Sequence, residues 1–352
     1  MARSYTGSLG TTVNVLPRGA DVSVGFNSTV VIVGEMGEGT ADLHEAYAID
    51  DTDDAEERFG EDASIVDAIQ AARANGAPDI WGVAVDSTEP DYEQGVEVAL
   101  GVTPRYIYVD TEADADVNAA IGVVEDYATD LEFTRLWAPI SEDVETADIS
   151  TYEPRDDSFR LVEVAPLTST VAGADTYTAA AVMGAASTKP LGASLAYDQI
   201  VVDELGTKYR PSMALDFERV TAVTKDAEIV DGVTASDEGT FSDIFQMEIV
   251  DTAILGLDQI AQDYGGSEVN TEDGRANLES DMRIYLESLA DQTPPLLADA
   301  FGGDPYYVDV DVGGDADEAV ATVGVNPVDV MKQITVDLNV GRVTTLGGVD
   351  AE

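Results

Sequence analysis

The sequence has no cysteine and a single histidine, His44. Disulfides, thiolate nucleophiles and cysteine metal sites are therefore excluded. One histidine cannot furnish a multi-histidine metal centre or a Ser/His/Asp triad with a base to spare, and His44 reads as a surface or cap position. Basic residues are also scarce: 17 Lys and Arg stand against 70 Asp and Glu, and only four of the 17 are lysines. With so few cations to displace counterions, direct nucleic-acid binding is not expected. No stretch reaches the roughly 18 apolar residues of a membrane span. Residues 1–28 lack a basic start followed by an apolar run, so a signal peptide is not predicted either.

What remains is a globular chain of 352 residues, 44% hydrophobic, with a formal net charge of −53. The length suits two or three domains and a large buried core. Self-repulsion on this scale opposes compaction in dilute buffer, whereas at about 1 M salt the Debye length falls to roughly 3 Å. The composition points to a salt-saturated cytoplasm, that of an extreme halophile or its virus. Acid is spread along the chain, as in Asp50, Asp51, Asp53, Asp54, Glu56 and Glu57, which marks adaptation to solvent more than a substrate. The same abundance prevents any pair of carboxylates from being singled out as an acid and base.

Two stretches invite a ligand. VVIVGEMGEG (30–39) runs a strand into a turn carrying Gly34, Gly37 and Gly39. Gly34 and Gly39 have the spacing of a phosphate loop, GxxxxGK[ST], but Thr40 stands where the lysine belongs, and Glu35 and Glu38 would repel a phosphate. The dinucleotide pattern GxGxxG fails at Asp42. A structural turn is the preferred reading, and a soluble α/β enzyme or ligand-binding protein using the Gly34–Gly39 turn is the alternative. The second stretch is DVDVGGDADE (309–318), in which Asp309 and Asp311 match the first two oxygen ligands of a calcium loop, with Asp315 nearby. Gly313 occupies the third position and no acid the twelfth, so the expectation is a strand with Val308, Val310 and Val312 inward and the aspartates outward.

Periodicity predicts strands at 29–34, 79–85, 105–110 and 133–138, alternating with helices at 63–74 (closed by Asn75 and Gly76), 89–100 and 115–131. That alternation indicates a mixed α/β fold with a largely parallel sheet. A strand at 159–167 and a small-residue helix at 176–187 follow, in a stretch that is otherwise hard to read. From 246 two amphipathic helices are clear, with Ile249, Ala253, Leu257 and Ile260 on one face and Leu278, Met282, Tyr285 and Leu289 on the other. Strands are predicted at 306–312, 319–325 and 334–340. The expected division is an extended arm (1–28), an α/β domain (29–140), a middle domain or insertion (141–245), a C-terminal domain (246–332) and a terminal strand or arm (333–352).

Taken in order, several stretches resemble the tail sheath proteins of contractile phage tails and related injection machines. VVIVGEMGEG is followed by Phe59 and Gly60, then by a helix ending in Asn75 and Gly76 and leading directly into a strand. Near the other end come a helix (ANLESDMRIYLESLAD), an aromatic–valine–acid strand (YYVDVDV), Val323–Pro327 and an alternating final strand. The resemblance covers roughly 25–110 and 246–345. It implies a core domain built from N-terminal and C-terminal parts with a middle insertion and extended arms, and it makes Gly34, Gly37, Gly39, Gly60, Asn75 and Gly76 fold-signature turns. It further implies no enzymatic activity and no cofactor. The implied partners are further copies of the chain stacked in rings, an inner tail tube protein, and baseplate and tail terminator proteins, within a virion tail assembled in the host cytoplasm. Neither direct nucleic-acid binding nor membrane insertion is expected. Strand exchange between subunits is implied for Val13 and Val15 at one end and Ile334, Val336, Leu338 and Val340 at the other. A subunit this acidic is expected to meet a tube by charge only if its few arginines are concentrated on the inward surface.

Overall fold

The computed structural model describes residues 28–128, 133–140, 154–165, 168–171, 174–191, 193–196, 198–201, 204–205, 219–223, 227–236, 243–264, 270–300, 302–313 and 318–328. In chain order the elements begin with β1 (Thr29–Glu35), β2 (Ala46–Ala48), α1 (Thr52–Phe59), α2 (Ser64–Ala74), β3 (Asp79–Val85), α3 (Tyr92–Leu100), β4 (Tyr106–Val109) and α4 (Asp114–Ala128). β5 (Arg135–Pro139), β6 (Leu161–Ala165), β7 (Thr168–Val171), β8 (Ala174–Tyr177), α5 (Thr178–Ser187), β9 (Glu204–Leu205) and β10 (Thr221–Ala222) follow. The chain continues with α6 (Ile244–Tyr264), α7 (Glu272–Ala290), β11 (Tyr306–Val312) and β12 (Ala319–Val325).

Seven strands form one sheet in the order β10-β6-β5-β4-β1-β3-β2, parallel except for the edge strand β2. β1 is central because both of its faces are apolar. Val30 and Ile32 enter the layer built with α1, α2 and α5, and Val31 and Val33 the opposite layer with α3 and α4. A run of four β-branched residues buried on both sides is the usual signature of a covered parallel strand. α2 ends where Asn75 and Gly76 predict: the Gly76 amide donates to Arg73 and the Ala77 amide to Ala72, with Gly76 at φ 96°. α5 is buried along its whole length, and its alanines and Gly184 permit a close approach. A Cβ on Gly184 would stand 2.3 Å from the Ala72 carbonyl oxygen.

α1 was not predicted. Only Ala55 and Phe59 supply it with buried apolar surface, and its acidic residues resemble an ordinary solvated loop. Its start is fixed by Asp51, whose carboxylate accepts from the Asp54 amide at 2.9 Å. Its end is fixed by Phe59, whose ring lies over Gly82 of β3, where a Cβ would be 2.6 Å away. The short strands β7–β10 and β2 were also missed; two to four residues carry no usable period.

α7, the antiparallel hairpin β11–β12 and α6 beyond Ile244 form a third apolar core beside the two layers of the sheet, while Ile244 packs into the layer with α2 and α5. The faces read from the sequence are the buried ones: Ile249, Ala253 and Ile260 on α6, with Leu257 only half-buried, and Leu278, Met282, Tyr285 and Leu289 on α7. Val308 and Val310 point inward as expected, but Val312, at the end of the strand, is 54% exposed.

Candidate functional site

In an open α/β sheet, ligands bind outside the carboxyl ends of the strands, where the connections diverge to opposite faces. Here that point lies between β1 and β4. The glycine turn follows β1, and Asp110 follows β4. The turn's amides are directed away from any ligand: Gly37 donates to Phe59 at 2.7 Å, Thr40 to Glu57 at 3.3 Å and Ala41 to Arg58 at 2.8 Å. Those acceptors are the last carbonyls of α1. The turn thus caps a helix C-terminus, the negative end of its dipole, whereas phosphate loops sit at the positive end. Gly39 is required by this docking, since a Cβ there would lie 2.0 Å from the Arg58 carbonyl oxygen, and Gly60 ends α1 at φ 98°. Gly34 lies against Ile65 and Asp110, with hypothetical Cβ distances of 3.0 and 3.1 Å.

The crevice itself is filled by the protein's own acid. Asp110 accepts from Ser64, the first residue of α2, and from the Tyr108 hydroxyl, while Tyr92 donates to its carbonyl oxygen at 2.5 Å. Burial, reinforced by Glu35 and Asp67, pushes its carboxyl up to about 6. Burial and the neighbouring Asp116 raise Glu35 as well. Further along the same edge, Arg155 closes the ends of β5 and β6 by pairing with buried Glu163 at 2.5 Å and donating to the Pro139 and Glu112 carbonyls. An anion placed here would meet carboxylates, and no group of three or more His, Asp or Glu among the described residues is arranged to hold a metal.

The other candidates fall as follows. His44 adopts φ 55° in a tight turn, its amide bonded to Ala84 at 2.9 Å. Asp309 and Asp311 lie on the outer side of β11, opposite Thr322 and Val320 in the ladder rather than around a loop; Asp315 lies outside the described residues. Val13, Val15, Ile334, Val336, Leu338 and Val340 lie outside them too. Among the described residues, β11 and β12 pair only with each other, and Tyr307, Val312 and Val320 are exposed on the hairpin.

The opposite edge of the sheet holds a cluster that the sequence reading missed. Arg105, Arg135 and Arg160 stand at the amino ends of the adjacent strands β4, β5 and β6, all buried. They converge on Glu248 and Asp251, one turn apart on α6. Arg105 grips Glu248 with Nε at 3.1 Å and Nη2 at 2.9 Å, and Tyr106 donates to the same carboxylate at 2.5 Å. Arg160 makes a two-pronged contact with Asp251 at 2.7 and 2.6 Å, and Arg135 reaches Asp251 at 2.8 Å. Arg105 also donates to the Lys189 carbonyl at 2.9 Å, beyond the end of α5. The visible signal was an arginine at or just before the start of three successive buried strands.

Every described Lys and Arg has an acceptor within the chain: Arg58 on Asp54, Arg73 on the Asp50 and Ile49 carbonyls, and Lys189 on Asp198. Arg219 meets the Ala235 carbonyl, Arg275 meets Asn270, and Arg283 meets Glu279. The remaining cations, Arg3, Arg18, Lys208, Arg210, Lys225, Lys332 and Arg342, lie outside the described residues.

No protein-family model and no curated protein sequence matches the chain. Solved structures do. The fold is shared with a chain of the anti-feeding prophage baseplate, 6-fold symmetrised, at 12% identity and TM-score 0.70, covering 96% of this chain and 100% of that one. It is shared equally with the helical sheath of the same prophage in its contracted state, at 13% identity and TM-score 0.68, covering 96% and 98%. The sheath tail protein of Desulfitobacterium hafniense matches at 12% identity and TM-score 0.61, covering 91% and 100%. At these identities the likeness establishes a common fold.

Proposed function

We propose that this chain is a structural subunit of a contractile tail sheath, polymerising helically around an inner tube and, on contraction, driving the tube through a cell envelope. The observation that carries this reading is the whole-length likeness to a helical sheath subunit in its contracted state, covering 96% of this chain. The closed carboxyl end of the sheet favours the same reading over a soluble enzyme. The role is mechanical and needs no cofactor. The partners are other copies of the chain, a tube protein, and baseplate and terminator proteins, within the tail of a halophilic virus or a related injection apparatus.

The body is divided as 29–140, 141–245 and 246–332, and the arms 1–28 and 333–352 link neighbouring copies by adding strands, with Val13, Val15, Ile334, Val336, Leu338 and Val340 on their buried faces. The open edges of β11 and β12 are suitable acceptors, since an added strand satisfies exposed backbone groups and sets register by side-chain alternation. The test is electron microscopy of the purified protein in multi-molar KCl and after dialysis to low salt. Striated tubes of uniform diameter that dissolve on dilution are expected, and truncations of 1–20 or of 334–352 should remain folded but fail to form tubes. Tubes in both truncations would refute the arms. Monodisperse particles in both salts, together with a thermal shift on adding ATP or NAD, would return the reading to a ligand-binding protein.

A further inference from the structure

Apart from Ile244 at the start of α6, which packs into the sheet's own core, the sheet and the C-terminal unit have separate apolar cores, and the seam between them is rich in charge. Hydrophobic contact is non-directional, so an apolar seam accepts many relative positions of two bodies at similar free energy. Guanidinium–carboxylate pairs have fixed geometry and leave a large penalty when separated in a buried setting. Arginines on three successive strands read two carboxylates at positions i and i+3 of one helix, which defines both the axial position of α6 and its rotation. Sliding α6 by one turn would present Ile244 and Met247, or Thr252 and Leu255, to the guanidiniums in place of Glu248 and Asp251.

We infer that Arg105, Arg135 and Arg160 with Glu248 and Asp251 form a register lock. They select a single docked position of the C-terminal unit on the sheet, and their contribution is to uniqueness rather than to net stability. The inference is independent of the sheath reading. In any role, the lock fixes the angle between the sheet and the α6–α7–hairpin unit, and hence where the surfaces of the two units lie relative to each other.

The absence of cysteine makes the test direct. Spin labels at Glu97→Cys on α3 and Ser280→Cys on α7, both exposed positions, report the distance between the two bodies by pulsed electron resonance in the full chain. The native seam should give one narrow distance. A fully apolar seam (Arg105→Met, Arg135→Met, Arg160→Met, Glu248→Leu, Asp251→Leu, with Tyr106→Phe) should melt at the native temperature or higher, yet show a broadened or double distance distribution. A single native distance in that variant would overturn the lock, and so would a lowered melting temperature with the narrow distance kept. If the apolar variant does not fold, the pair Arg135→Lys and Arg160→Lys decides. It keeps both charges and loses the two-pronged geometry, so a broadened distribution is expected, and native width refutes the inference.

Discussion

Replacing Asp251 by asparagine perturbs the seam at its most demanding point. The carboxylate is fully buried and accepts three charged donors, Arg135 at 2.8 Å and Arg160 at 2.7 and 2.6 Å. Asparagine keeps the volume but turns an N–H group toward one guanidinium and leaves the three buried cations Arg105, Arg135 and Arg160 with Glu248 as the one carboxylate of the cluster. Removing one partner of a buried pair costs about 3–5 kcal/mol. At about 2.1 cal/mol/K per residue, 352 residues give an unfolding entropy of about 0.74 kcal/mol/K for a single cooperative transition. The melting temperature should therefore fall by about 4–7 °C, measured by circular dichroism in multi-molar KCl. Because the pair is excluded from solvent, added salt should not recover the loss. Glu279→Gln, which breaks the half-exposed pair with Arg283, is the control and should change stability by less than about 0.5 kcal/mol. A loss below about 1 kcal/mol for Asp251→Asn, or one that vanishes at high salt, would show that the cluster is neither buried nor paired as described.

Three further outcomes follow from the same reasoning. Gly39→Ala forces a Cβ to 2.0 Å from the Arg58 carbonyl oxygen and should separate the glycine turn from α1, seen as faster amide exchange at Gly37 and Ala41; unchanged exchange would show that the turn is not docked there. Gly76→Ala places a side chain at φ 96° with its Cβ 3.0 Å from Thr188, and should cost about 1–2 kcal/mol in urea unfolding. Asp110 has a folded carboxyl raised to about 6, so the folded state binds the proton more tightly than the unfolded chain, and this group opposes folding increasingly as the pH rises from about 4 to 6. Asp110→Asn should therefore stabilise the protein at pH 8, by at most about 3 kcal/mol, and the gain should vanish below about pH 4; melts that shift equally at both pH values would contradict the burial of this carboxylate.

What the sequence revealed and what it hid have separate physical causes. β1, β3, α2 and α7 were legible because each carries enough apolar residues at one period to determine its own state. α1 was not, since its position depends on a cap and on one phenylalanine meeting a glycine on another strand. The sequence showed that the Gly34–Gly39 turn lacks phosphate chemistry, but what it binds instead, the end of α1, is a contact between segments about 20 residues apart. The seam was the hardest to see. Its partners are separated by 143, 116 and 91 residues, and in a chain with 70 acids no pairing can be chosen by inspection.

The internal engagement of every described cation has a consequence for association. At a formal net charge of −53, two such bodies approach each other as polyanions, and screening of contacts between them calls for cations taken up from solution. A logarithmic plot of the association constant against salt concentration should therefore rise, opposite in sign to that of a basic protein on DNA. Its slope counts the ions each copy takes up on joining an assembly. In the assembly proposed above, potassium and sodium would then be stoichiometric components, and a rearrangement that changed the area between copies would release or take up ions in proportion.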